Sequence, residues 1–270
     1  MARELVHDLE AGDARASVHP ERGGRLGSLE VHGHRLLRDD ASPSSMLWGC
    51  YPMAPWAGRI RHGVFEFDGH RYQLPIDAPP HAIHGTAHLA RWEVVDAGRD
   101  HCELRCDLDW PFGGIAHQHL VMRPDGIVLL LAVVATSQRM PAALGWHPCF
   151  RPPTSATLDV EFMYRRDAEG IPTGEIVNAP PPPWDDCFTA PRTPPLLHYA
   201  ADGQRPPIDV RLDSDCDHWV VFNELPDALC VEPQSAPPDA HNLGVAAALE
   251  PGEMLQRRFE ISWQRPPTGR

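Results

Sequence analysis

The chain has 270 residues, 42% hydrophobic and 23% charged, the balance of a globular protein rather than a disordered or fibrous one. Its formal charge is −13, from 37 acidic and 24 basic residues, so the summed field repels nucleic acid and anionic lipid and favours a neutral small molecule as partner. Every basic residue is an arginine, which excludes a lysine Schiff base, a lysine-held pyridoxal phosphate and a P-loop lysine.

The first residues lack the basic-then-apolar pattern of a signal peptide, and no apolar run nears the ~18 residues of a membrane span. The seven cysteines are scattered and odd in number, which suits reduced thiols. A cytoplasmic protein without a membrane partner is therefore expected. Strand signals continue along the whole chain without a change of composition, so residues 1–270 are expected to form a single all-β domain, an antiparallel β-sandwich.

In chain order, Leu29–Leu37 reads as a hairpin, and Val64–Leu74 as a second one turning at Asp68-Gly69, where the positive φ angles of a tight turn are easily taken. Cys102–Leu108 is a predicted strand with both cysteines on one face. His117–Thr136 forms a further hairpin around Pro124-Asp125-Gly126. Its second arm, Ile127–Thr136, is apolar on both faces and reads as a covered central strand. The proline-rich run Asn178–Phe188 reads as a long surface loop bordering a site. Strands are expected again at His218–Asn223, Leu229–Glu232 and Arg258–Gln264.

Several stretches carry chemistry. His81, His84 and His88 in HAIHGTAH have the spacing of zinc ligands on a helix, but Gly85 and Pro79-Pro80 break helices, so a polar surface loop is expected for His81 and His88. His117 and His119 share one strand face but have no evident third ligand, and no metal site is expected. In ALGWHPCFRPP, His147 lies between Trp146, bulky enough to shield it, and Pro148, which holds its backbone extended. Glu232 closes an apolar strand, where partial desolvation raises a carboxyl toward the range of a general base. Asp185 and Asp186 can accept hydrogen bonds from sugar hydroxyls, or bind a cation. Arg59 and Arg61 beside Trp56 offer planar donors and a flat apolar face to an oxygen-rich ligand.

Taken together, GRIRHGVFEFDGHRYQL, IHGTAH with Trp92, GWHPCF and EPQSAPPDAHN resemble four motifs of the aldose 1-epimerase (galactose mutarotase) family, in that family's order, from about residue 20 onward. The resemblance implies a large antiparallel β-sandwich with the site in a cleft on a concave sheet face. It implies His147 as catalytic acid, Glu232 as catalytic base and His84 as a second histidine that orients or polarises the sugar. Arg59 and one aspartate, Asp185 by its place before Cys187-Phe188, match the sugar-hydroxyl ligands; Asp186 and Trp146 complete the candidate binding set. No cofactor or metal is implied. Gly58 stands where an asparagine often precedes the arginine, and Cys149 where a tyrosine is common.

The chemistry agrees with these residue types. A cyclic aldose opens when a base takes the anomeric hydroxyl proton while an acid, expected on the opposite side, protonates the ring oxygen. The aldehyde then turns and recloses. Three rivals remain at this stage: a hexose-6-phosphate 1-epimerase drawing on Arg61, Arg91, Arg151, Arg165 and Arg166; a non-catalytic carbohydrate-binding protein; and, ranked last, a glycoside hydrolase with paired carboxylates. The oligomeric state is not legible.

Overall fold

The computed structural model describes residues 4–39 and 45–264. Among them, two large antiparallel sheets of eleven and eight strands carry the fold. The middle of the larger sheet runs Cys50–Met53, Gly145–Phe150, Leu229–Gln234, His218–Phe222, Asp185–Thr189. The middle of the smaller one runs Ile115–Arg123, Gly126–Val134, Met254–Gln264. One apolar cluster joins the facing sides, including Leu26, Trp146, Phe188 and Val231 from the larger sheet and Leu120, Leu129, Phe259 and Ile261 from the smaller. No helix among the described residues is long and apolar enough to cross a membrane.

The hairpins follow local turn chemistry. Phe67 pairs with His70 across Asp68 (φ 49°) and Gly69 (φ 75°), the two positive φ angles that a two-residue turn with the right twist requires. His32 and Gly33 (φ 48° and 83°) turn the Arg25–Val31 strand into His34–Arg35 in the same way. The apolar arm Gly126–Val134 is central, paired on one side with Ile115–Arg123 and on the other with Met254–Gln264.

Two expectations need correction. The last strand starts at Met254 rather than Arg258, because nine residues of Gly126–Val134 pair along it and extend it through its polar half. The proline-rich run is a loop only as far as Trp184. Asp185–Thr189 is a strand in the larger sheet, paired with His218–Phe222, and Asn223 Oδ1 anchors its start by accepting from the Trp184 N–H at 2.6 Å. Prolines 180–183 stop the ladder before Asp185, not through it.

Candidate functional site

The register of two neighbouring strands builds the floor of the site. Gly145 pairs with Gln234 and Cys149 with Cys230, and the same register sets His147 opposite Glu232. Side chains alternate along a strand, so His147 and Glu232 both leave the sheet on the face turned away from the sandwich core. His147 Nε2 and Glu232 Oε1 lie 3.2 Å apart, with side chains 8% and 3% exposed. Gln234, two residues on, shares the face; its Nε2 donates to Glu232 Oε2 at 3.3 Å, and its Oε1 is buried without a protein partner.

The pocket above this floor encloses about 220 Å³, lined by Gly58, Arg59, His84, Asp185 and Pro238 as well as the floor residues. That volume suits one small ring rather than an extended chain. A larger open groove, about 920 Å³, lies elsewhere along the Ile208–Ser214 and Met254–Gln264 strands; it has carboxylates but no histidine, and so no facing acid/base pair.

The walls are held by backbone contacts. Gly58 N–H donates to His84 Nδ1 at 3.3 Å, while His84 N–H donates to Gly58 O at 3.0 Å. His84 itself has φ 61°, a left-handed conformation costing an L-residue about 1–2 kcal/mol, and this reciprocal pair holds it there. Gly58 has φ 70°, and a Cβ there would fall 2.6 Å from Pro238 Cβ and Cγ, so the missing side chain is a matter of close packing. Asp239 ties Pro238 down: its N–H donates to Arg59 O at 2.7 Å, and its Oδ1 accepts from Arg61 N–H and Asn242 Nδ2.

Burial controls the electrostatics. It pushes the Glu232 carboxyl well above the usual carboxylate range, with Asp185 adding to the effect. It pulls His147 down to about 3 and His84 well below its ordinary value. Direct contact between Glu232 and His147 opposes both of their shifts, but two groups this buried keep the directions that desolvation sets. A neutral His84 whose Nδ1 accepts from Gly58 carries its proton on Nε2, where it is a donor. Tyr51 stacks on His147 with ring centroids 4.7 Å apart and planes at 14°, and the Arg25 guanidinium lies over the tyrosine ring, 5.1 Å from its centroid.

The pocket therefore brings together His147, Glu232, His84, Arg59 and Asp185. Arg59 reaches Asp185 at 3.4 Å, and Arg166 reaches it at 3.2 Å. Two members of the expected binding set lie elsewhere. Trp146 precedes His147 on a strand and so points the opposite way, into the core, where it packs on Phe259 at 5.8 Å. Asp186 likewise points away from Asp185's face and is held by Arg166 Nε at 2.7 Å. His81 and His88 are buried rather than surface residues: His81 Nδ1 accepts from His62 N–H, and His88 stacks on Tyr51. Gln234 and Tyr51 were missed by sequence reasoning. The i, i+2 spacing from Glu232 was a signal for Gln234; Tyr51 had none.

Among the described residues, one group of three metal-ligand side chains converges, namely His147, Cys230 and Glu232, with ligand atoms within 4.8 Å of one another. The His81/His84/His88 and His117/His119 sets do not belong to it.

Comparison with known proteins agrees with this architecture. An Escherichia coli K12 protein, the uncharacterised YphB, is 24% identical over 248 residues, covering 79% of this chain and 84% of its own. A solved putative aldose 1-epimerase from E. coli K12 superposes with a TM-score of 0.85 at 20% identity, over 98% of this chain and 100% of its own. Galactose 1-epimerase from Lactobacillus acidophilus NCFM superposes with a TM-score of 0.79 at 15% identity, over 98% and 97%. The family model for aldose 1-epimerase matches residues 6–262, and on that match, together with the two-sheet fold, the chain belongs to the aldose 1-epimerase family.

Proposed function

We propose that the protein interconverts the α and β anomers of a neutral aldohexose by general acid/base ring opening. The observation that carries this reading is the buried contact of His147 with Glu232 on the floor of a pocket sized for a monosaccharide. Glu232 accepts the anomeric hydroxyl proton while His147 donates to the ring oxygen, and His84 donates its Nε2–H to a sugar oxygen. Arg59 and Asp185, side by side at 3.4 Å, hold hydroxyls as planar donor and acceptor.

The two groups touch instead of standing on opposite sides, and this suits the chemistry. The reacting oxygens are both bonded to one carbon, so adjacent groups reach them. The pair then needs a single proton between them. Ionised Glu232 with protonated His147 opens the ring, and the neutral pair left behind closes it with the roles exchanged. In the empty pocket burial favours the neutral pair, and across 3.2 Å the proton passes directly from one to the other.

A phosphorylated substrate is disfavoured because each of the five arginines named for a phosphate faces carboxylates: Arg61 faces Asp167 and Glu169, Arg91 Glu21, Arg151 Asp39, Arg165 Glu175, and Arg166 Asp185 and Asp186. A sugar-binding protein without activity leaves the facing pair unexplained. The seven buried cysteines suit the cytoplasm. Polarimetry of freshly dissolved α-glucose, α-galactose and glucose 6-phosphate tests the proposal. A neutral sugar is expected to relax faster than in buffer, and the phosphate ester little changed. Relaxation at the buffer rate for a wider panel of neutral aldoses overturns the reading.

A further inference from the structure

Cys230 has no part in the chemistry above, yet it lies on the same strand face as Glu232, two residues before it. Its Sγ, His147 Nε2 or Nδ1 and a Glu232 oxygen all fall within 4.8 Å of one another, and the three residues are buried. Cys149, directly opposite in register, hydrogen-bonds to the Cys230 thiol. A tetrahedral ion with bonds of about 2.0 to 2.3 Å needs its nitrogen, oxygen and sulfur ligands about 3.3 to 3.6 Å apart. His147 Nε2 and Glu232 Oε1, at 3.2 Å, already make one such edge. One imidazole, one thiolate and one carboxylate are a borderline-soft set; magnesium and calcium prefer six or more oxygens.

We propose that His147, Cys230 and Glu232 form an inhibitory site for a zinc-class divalent cation, which competes with the sugar. The ion takes the lone pairs that the acid and base use, on the floor of the pocket that His147 and Glu232 line. The site itself stands on ligand type and spacing; its inhibitory effect rests on the reading of Glu232 and His147 as the acid/base pair.

Cobalt(II) tests the two parts separately, because a bound thiolate gives a near-ultraviolet charge-transfer band whether or not the protein is an epimerase. The wild-type protein is expected to develop that band with cobalt, lose it when zinc is added, and resist its formation in high galactose. Cys230→Ser is expected to lose the band and to need at least about tenfold more zinc for half-inhibition, with its zinc-free rate within about twofold of wild type. No charge-transfer band in the wild type overturns the site, a result that needs no variant to fold. A band that survives Cys230→Ser also overturns it. Zinc inhibition equally strong in that variant overturns the competitive role. A wild-type protein without mutarotation removes the acid/base reading, while the cobalt band still decides the cation site.

Discussion

The two sheets are built from the same antiparallel hairpins, but among the described residues only the larger carries two long neighbouring strands buried at every position. In the smaller sheet the strand Ile115–Arg123 alternates buried and half-buried residues, so His117 and His119 stay partly wet on its outer face. In the larger sheet every residue of Gly145–Phe150 and Leu229–Gln234 is buried. The outer face there lies under the segments carrying Gly58, Ile83, His84 and Pro238. A histidine on a wet strand face is ordinary surface chemistry. The same residue under a second layer loses solvent, shifts its proton affinity and becomes available for catalysis. The cover, more than the residue type, makes the site.

The largest test of that contrast is on rate. Glu232→Gln and His147→Asn are each expected to lower kcat by about 10²–10⁴, the usual contribution of a positioned acid or base, while His119→Asn on the wet sheet leaves it unchanged. Mutarotation rates in all three variants check this; full activity in either covered-face variant ends the assignment. A narrower contrast lies within one strand. Asp185→Asn is expected to raise KM by about 10–100-fold, the loss of a charge-assisted hydrogen bond to a hydroxyl. Asp186→Asn, on the opposite strand face and paired with Arg166 Nε, is expected to lower thermal stability and leave KM alone. Equal effects on KM would remove the distinction between the two faces.

The cover itself can be strained. Gly58→Asn places a side chain where φ is 70° and Pro238 stands 2.6 Å from the new Cβ. A stability loss of about 1–3 kcal/mol is expected, read from denaturant unfolding. Asparagine tolerated without loss would show that the Pro238 segment yields, and that glycine there is not a packing requirement.

The sequence made the hairpins legible because Asp68-Gly69 and Pro124-Asp125 mark their turns locally. The acid/base residues were legible as types in matching motifs. What was not legible depends on pairing between distant segments. The contact of His147 with Glu232 follows from the register of two strands far apart in the chain, and no local signal sets that register. The burial of His81 and His88 depends on what lies over them, so their polarity misled. Trp146 and Asp186 are a different case: each neighbours a site residue on a strand, and alternation alone sends them to the other face. Reading Asn178–Phe188 as a loop hid that rule for Asp186, since four prolines in a row obscured the strand that begins just after them.

The smallest expected effect concerns a covered histidine that no chemistry uses. His241 is buried against Phe65, ring centroids 4.9 Å apart, and neither ring nitrogen has a hydrogen-bond partner. Burial pulls its pKa from 6.5 to about 4, so the unfolded chain takes up a proton near pH 6.5 while the folded protein resists until about pH 4. This group's contribution to stability is therefore complete above pH 6.5 and declines as the pH falls toward 4. His241→Phe removes both the unpaired nitrogens and this proton uptake. At pH 7 it is expected to stabilise by about 1 kcal/mol, a rise of roughly 2–4 °C in Tm. Its advantage over the wild type is then expected to widen as the pH falls from 6.5 to 4, by about 1.4 kcal/mol for each unit of depressed pKa. Taking the difference between variant and wild type cancels the buried carboxyls Glu232 and Asp239, whose raised pKa values act with the opposite sign. A gap in Tm that stays constant with pH would mean that His241 titrates alike in both states, and that the layer over the larger sheet does not exclude water at that position.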